Sequence, residues 1–302
     1  MKANMTQSRS PVLPFLMACA GIGLFSIMDA LMKNLSIALG AYNAVLWRCL
    51  IGAALAGAVW VAIKSPLPSR AALRLHAIRS LLVAIMAISF FWALARLPLA
   101  EAIALSFIAP LITLYLAAVM LGEKVGRDAI MASLLGLAGM LVILSAKLGA
   151  DGQVRDAMAV GAVLFSAVAY AINLIFARKQ AQVASPTEIA FFQNLFVGLI
   201  LALAGPWLAI LPSAEWLPHL LGSALLATVS VFLLAWAYAR AEAQLLVTVE
   251  YTAFLWAAVL GWIWFAEPLA WQTVAGTALI VVGCLIATRK KPLVDQVEPL
   301  PA

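Results

Sequence analysis

The sequence predicts an all-α integral membrane protein with ten transmembrane helices arranged as two inverted five-helix repeats. Three observations carry that prediction. The chain of 302 residues is 66% hydrophobic and only 11% charged, against roughly half apolar and a quarter charged in soluble domains. Its apolar residues fall into runs long enough to cross a bilayer, which takes about 20 residues each. Its second half repeats its first at an offset of 144 residues, the interval from Glu123 to Glu267. At that offset Trp92 lies over Trp236, Arg96 over Arg240, Gly139 over Gly283 and Lys147 over Lys291. An odd number of spans per repeat makes the second half enter from the opposite face, which is the architecture of many secondary transporters.

The expected spans are 11–31, 41–63, 77–95, 101–120 and 128–147 in the first repeat, and 157–177, 188–210, 217–239, 243–265 and 271–288 in the second. The chain then divides into a tail (1–10), a first repeat (11–147), a linker (148–156), a second repeat (157–288) and a tail (289–302). Between spans 2 and 3, the stretch from Pro66 to Arg79 reads as a short basic helix on the membrane surface. The run from Leu16 to Cys19 loosely resembles a lipoprotein signal, but apolar sequence continues to Leu31 and makes one full span instead.

Orientation follows from loop cations. With the N-terminus inside, the cytoplasmic side collects Lys2, Arg9, Lys64, Arg70, Arg74, Arg79, Lys124, Arg127, Arg178, Lys179, Arg240, Arg289, Lys290 and Lys291. The other side keeps Lys33, Arg96, Lys147 and Arg155. That bias puts both termini in the cytoplasm of a multi-pass protein of a bacterial-type inner membrane. The net charge of +6 is thereby a topology signal, and no contiguous basic face points to nucleic acid. Cys19, Cys49 and Cys284 lie in apolar runs without metal or disulfide spacing. No metal and no cofactor are expected, proton coupling aside.

Ionisable groups inside a bilayer cost on the order of 3 kcal/mol each, so those retained mark partners or function. Asp29 and Arg48 fall at similar depth and read as a structural or gating ion pair, with Asn173 and Asn194 as neutral counterparts that could bond to each other. Glu250, about 10 Å into span 9, has no cation of matching depth in its half and is the first candidate to bind a substrate amine or a coupling proton. Around it, helical spacing groups Ser106 with Pro110 and Thr113, and Glu250 with Phe254. Trp92 and Trp236 occupy equivalent places on spans 3 and 8, Ser26 sits beside Asp29, and Tyr170 beside Asn173. With Tyr251, these residues would line a cavity shared by both halves. For Trp92 and Trp236, anchoring at the membrane interface competes with that role, as it does for Trp60, Trp207, Trp216 and Trp271. Pro110 frees a backbone carbonyl inside span 4 and is the expected helix hinge. Ala132, Gly136 and Gly139 in span 5, with Gly276 and Gly283 in span 10, suit close helix packing, which could also serve as a homodimer seam.

The chain resembles the EamA family of the drug/metabolite transporter superfamily. The resemblance rests on the duplication, on Trp47-Arg48 early in the second helix, on Pro110 in a fourth helix that ends in Leu121-Gly122-Glu123, and on Ala266-Glu267 at the equivalent place after the ninth. The second repeat departs from the pattern with Asn194 for the arginine and Ala266 for the glycine. The resemblance implies a carrier of small metabolites with a cavity between helices 3, 4, 8 and 9. Residues and resemblance together favour a secondary transporter of an amphipathic metabolite, such as an amino acid or a related amine or sulfonium compound, working by alternating access. A channel or a non-transporting assembly subunit is the alternative. An enzyme is not expected, since His76 and His219 sit in or beside predicted loops and no HExxH, GxSxG or Walker motif occurs.

Overall fold

A computed structural model describes residues 12–109, 112, 113, 116, 127–145, 156–181, 183–238 and 252–288. Its helices are α1 (Val12–Ala62), α2 (Arg70–Leu94), α3 (Leu99–Ser106), α4 (Arg127–Ser145), α5 (Ala157–Ala181), α6 (Pro186–Ala202), the short α7 (Gly205–Leu208), α8 (Leu217–Tyr238), α9 (Thr252–Phe265) and α10 (Trp271–Thr288), with a 3₁₀ turn at Ala214–Trp216. Among the described residues four helical stretches are long and apolar enough to cross a membrane: Leu13–Ala62, Arg70–Leu94, Ala157–Ala177 and Ala214–Ala237. Shorter apolar helices include Pro186–Ala202, Thr252–Phe265 and Trp271–Gly283. Large side chains such as Phe165, Leu225, Leu255 and Trp262 are exposed on the bundle, an apolar surface that only lipid or another apolar partner satisfies.

Two boundaries differ from expectation. The loop foreseen between spans 1 and 2 is helical throughout, so α1 runs on past Leu31 and bends only at Gly40. Gly40 has φ 78 and ψ 151, a conformation open essentially to glycine alone, and it separates an arm at 12–39 from an arm at 41–62. The basic segment is likewise no surface helix. Ser69 Oγ accepts from Ala72 N at 3.1 Å and caps α2, which carries the chain from Arg70 to Leu94 without a break. His76 and Arg79 therefore lie inside the bundle: His76 is fully buried. The histidine expected beside a loop is a core residue, because one face of the first two turns of α2 packs on α5 and α6.

The two halves interlock. The first arm of α1 lies along α8, where a Cβ on Gly21 would stand 3.1 Å from Leu234 Cγ and one on Gly222 would stand 3.4 Å from Leu31 Cδ1. Rising numbers on one helix meet falling numbers on the other, so the pair is antiparallel. α2 lies along α5 in the same sense, with Ser166 Oγ donating to Met86 O at 3.0 Å and Arg79 Nε to Asn173 Oδ1 at 2.8 Å. Moved by the repeat offset, the α1/α8 pairs fall within about a turn of the α2/α5 pairs. The contacts α1·α9 and α3·α5 are related in the same way. α4 and α10 cross at Gly139 and Gly276, where a Cβ on either glycine would overlap the other's carbonyl oxygen. That close crossing lies within the chain, as the small residues of the fifth and tenth spans predict.

Candidate functional site

Two polar clusters tie the halves together at opposite ends of α2. Beyond its C-terminal end, Lys33 from the first arm of α1 is 4% exposed. Its Nζ donates to Leu97 O at 2.7 Å and forms an ion pair with Glu267 Oε1. The other carboxylate oxygen, Glu267 Oε2, accepts from Leu99 N at 2.7 Å, at the start of α3. The ammonium also stands 4.8 Å from the Phe265 ring centroid. One carboxylate from the second repeat thus fastens α1, the α2–α3 turn and the entry to α3 of the first. Burial makes such a pair costly to break from one side only, since the surviving charge loses its counter-charge in a setting with little water.

At the N-terminal end of α2, about 27 Å away by helical rise, four groups form a chain. Arg79 Nη1 donates to Gln180 Oε1, Gln180 Nε2 meets His76 Nδ1, and His76 Nε2 lies 3.0 Å from Glu188 Oε1. Gln180 can only donate through its nitrogen, so Nδ1 accepts and Nε2 donates its hydrogen bond to Glu188 Oε1. The guanidinium and the carboxylate at the two ends are thus joined through an amide and an imidazole. Phe192 stacks on His76 at 5.3 Å. Ser185 caps α6 by accepting from Glu188 N at 3.2 Å. The cap holds the Glu188 backbone while its carboxylate turns to His76. Again the elements joined belong to different halves: α2 to the first, α5 and α6 to the second.

Most of the residues that the sequence puts forward fall among the described ones. Asn173 is buried and accepts from Arg79, while Asn194 Nδ2 donates to Ala190 O at 2.9 Å on its own helix. The bond foreseen between the two asparagines is therefore not formed. Ser26 donates to Ile22 O at 3.0 Å and Ser106 to Ala102 O at 2.8 Å, so both hydroxyls are held on their own helices and keep acceptor capacity. Trp92 is partly buried and lies under Arg96, whose guanidinium carbon is 3.8 Å from the ring centroid. Trp236 packs beside Ala18, Ile22 and Ala237, Tyr170 beside Ala109, Ala167 and Ala171, and Phe254 in the main core. Trp92 and Trp236 thus sit on different packing clusters. Glu250, Tyr251 and Pro110 lie outside the described residues, as do both tails.

Asp29 and Arg48 need a correction. Arg48 exerts its field on Asp29, yet the ion pairs within 4.0 Å among the described residues are Lys33–Glu267 and His76–Glu188. Arg48 instead places Nη2 at 3.4 Å from Cys49 Sγ, and its Nε is buried without an acceptor. The two charges stand on the two arms of α1, on either side of the bend at Gly40, and come no closer than 4.0 Å.

Sequence reasoning missed Lys33, Glu267, His76, Arg79, Gln180 and Glu188 as bundle residues. Lys33 and Glu267 lie within a turn or two of expected span ends and read as loop charges. His76 and Arg79 read as part of a surface segment. A signal existed for the second cluster: Asn173 and Gln180 are seven residues apart, and so share one face of α5.

These features define a polytopic helical membrane protein built from two copies of one unit that are joined at both ends by buried polar contacts. The sequence profile of the EamA-like transporter family matches residues 13–145 and again 157–289, and the chain belongs to that family of transporters. It is 28% identical over 273 residues to the "Pseudopaline exporter CntI" of Pseudomonas aeruginosa (strain UCBPP-PA14), covering 88% of this chain and 93% of that protein. It is 29% identical over 213 residues to an "Uncharacterized transporter" of Helicobacter pylori (strain J99 / ATCC 700824), covering 66% and 68% of the two chains. A solved crystal structure shares the fold with a TM-score of 0.64 at 21% identity, over 91% of this chain and 96% of the other.

Proposed function

We propose that this transporter is a secondary carrier that moves a small amphipathic metabolite across a bacterial inner membrane by alternating access, with an amino acid or a related amine or sulfonium compound as its substrate class. The observation that carries the reading is the pair of cross-repeat polar clusters at the two ends of the bundle. A channel needs one continuous path, whereas a carrier needs two closures that open in turn. Here each closure joins the same two halves through different residues, so one can break while the other holds. Counting the arms of α1 separately and omitting α7, the described helices supply ten segments, in keeping with two inverted sets of five spans. With both termini cytoplasmic, Lys33 and Glu267 belong to the outer mouth and the Arg79–Glu188 chain to the inner one.

Substrate contacts fall to Glu250, Tyr251, Phe254, Trp92, Trp236, Tyr170, Asn173, Ser106 and Ser26, with Pro110 as the hinge. Glu250 binds the amine or a coupling proton, and the aromatic rings provide cation-π surface. Export is the direction we favour, supported by the name of the Pseudomonas relative. Counterflow in proteoliposomes, with candidates drawn from a thermal-shift screen of a metabolite library, tests the reading. A carrier shows saturable uptake stimulated by substrate on the opposite side, and Glu250→Gln abolishes or uncouples it. Conductance without saturation or trans-stimulation would replace the carrier by a channel.

A further inference from the structure

The two repeats treat one equivalent position differently, and the difference leaves a charge without a bonded partner. In the second repeat Asn173 accepts from the Arg79 guanidinium at 2.8 Å. At the repeat offset, Asp29 stands where Asn173 does and Ser223 where Arg79 does. The surroundings correspond as well. Asn173 follows Ser166 by seven residues on α5, and Ser166 bonds α2. Asp29 follows Ile22 by seven on α1, and Ile22 packs with Leu234 and Ala237 of α8. The α1/α8 register set by Gly21 and Gly222 brings Asp29 level with Ser223.

Ser223 is short, fully buried and bonded to Leu220 O of its own helix at 3.0 Å. The first repeat therefore holds a carboxylate where the second holds an amide, and lacks the guanidinium that the amide receives. Asp29 makes no hydrogen bond or ion pair among the described residues, and it is only partly buried. On the other arm of α1, Arg48 keeps a buried Nε with no acceptor. Two opposite charges, one within the other's field, thus do not touch, and each has bonding capacity in reserve. A group inside a bilayer does not stay so without water or a ligand to complete it.

We propose that Asp29 and Arg48 form the two ends of a seat for a zwitterion: Asp29 receives the ligand's guanidinium or ammonium group in the place that Arg79 fills in the other repeat, and Arg48 receives its carboxylate. The proposal rests on the transporter reading, narrows its substrate class to molecules that carry both charges, and leaves the coupling proton as the role of Glu250.

The test uses the full chain in nanodiscs, titrated calorimetrically with L-arginine and with agmatine, which has the same cationic head and no carboxylate. The wild-type chain binds both, L-arginine more tightly. Asp29→Asn weakens both by about tenfold or more. Arg48→Gln removes the advantage of L-arginine and leaves agmatine unchanged. Ser223→Arg puts a guanidinium beside Asp29, keeps the melting temperature and abolishes binding of both. The assignment is overturned if the wild-type chain binds neither probe, or if Asp29→Asn binds both as the wild type does. The second result together with a lowered melting temperature would make Asp29 a purely structural charge. The transporter reading fails on a separate result, absence of saturable counterflow in a chain that binds the probes.

Discussion

Lys33 and Glu267, 234 residues apart in the chain, form a partly buried ion pair in which the carboxylate's second oxygen also holds the α3 entry through Leu99 N. Removing either partner takes from the other its counter-charge. Lys33→Met leaves Glu267 facing Leu99 N alone and is expected to lower stability by about 3 kcal/mol. The charge-swapped double variant, Lys33→Glu with Glu267→Lys, recovers only part of that loss, because a lysine at 267 cannot accept from Leu99 N. Thermal unfolding of the wild-type chain and the two purified variants measures both effects. Equal stability in all three would show that the pair does not hold this end of the bundle.

The chain from Arg79 to Glu188 works only as a whole, since each middle group passes on a hydrogen bond it cannot make alone. Gln180→Leu removes the link and leaves Arg79 Nη1 and His76 Nδ1 without it. The expected cost is about 2–4 kcal/mol, the range for leaving buried polar groups unsatisfied. A double-mutant cycle of Arg79→Met and Glu188→Gln reads the coupling between the two ends. The energies are expected to be non-additive by more than about 0.5 kcal/mol although the residues do not touch. Simple additivity would mean that the amide and imidazole carry no coupling.

Duplication, the helical class and the close crossing of the fifth and tenth spans were legible because each leaves a periodic trace. Gly139 and Gly276 stand where small residues recur at helical spacing, and the structure puts them face to face. The polar clusters were not legible because hydropathy treats a charge near a span end as loop. Lys33 is such a charge, yet α1 continues past it and carries it inward. His76 and Arg79 failed for the opposite reason: three nearby cations suggested a surface, while the apolar face that buries them belongs to helices more than 90 residues away. For Asp29 and Arg48, the sequence suggests equal depth, but depth does not fix the distance between two arms, and the two side chains form no ion pair.

The Gly139–Gly276 crossing is a site where one methyl group matters. Beyond the facing carbonyls, a Cβ on Gly139 would meet Ile280 Cγ1 at 2.7 Å and one on Gly276 would meet Ile143 Cγ1 at 2.6 Å. Gly139→Ala must therefore push α4 and α10 apart, at a cost of about 1–3 kcal/mol. Gly161→Ala is the control, because a Cβ there meets nothing within 4 Å and helix propensity favours alanine by about 1 kcal/mol. Melting temperatures of the two variants are expected to move in opposite directions. A parallel shift would remove close packing as the cause.

Ala266 has φ 51, in the left-handed region where a Cβ costs roughly 1–2 kcal/mol, and its equivalent in the first repeat is Gly122. The strain has a visible purpose: the turn at Ala266 brings Glu267 N to within 3.1 Å of Gly261 O and points the carboxylate at Lys33. Ala266→Gly relieves the Cβ clash while the unfolded chain gains freedom that offsets part of the gain by about 0.4–1 kcal/mol. The net expectation is a chain more stable by several tenths of a kcal/mol, with the Lys33–Glu267 pair intact. If the turn instead needs the stiffness of alanine to hold Glu267 in place, Ala266→Gly lowers the melting temperature. The added effect of Lys33→Met in that background would then shrink, and the two melting curves together decide between these outcomes.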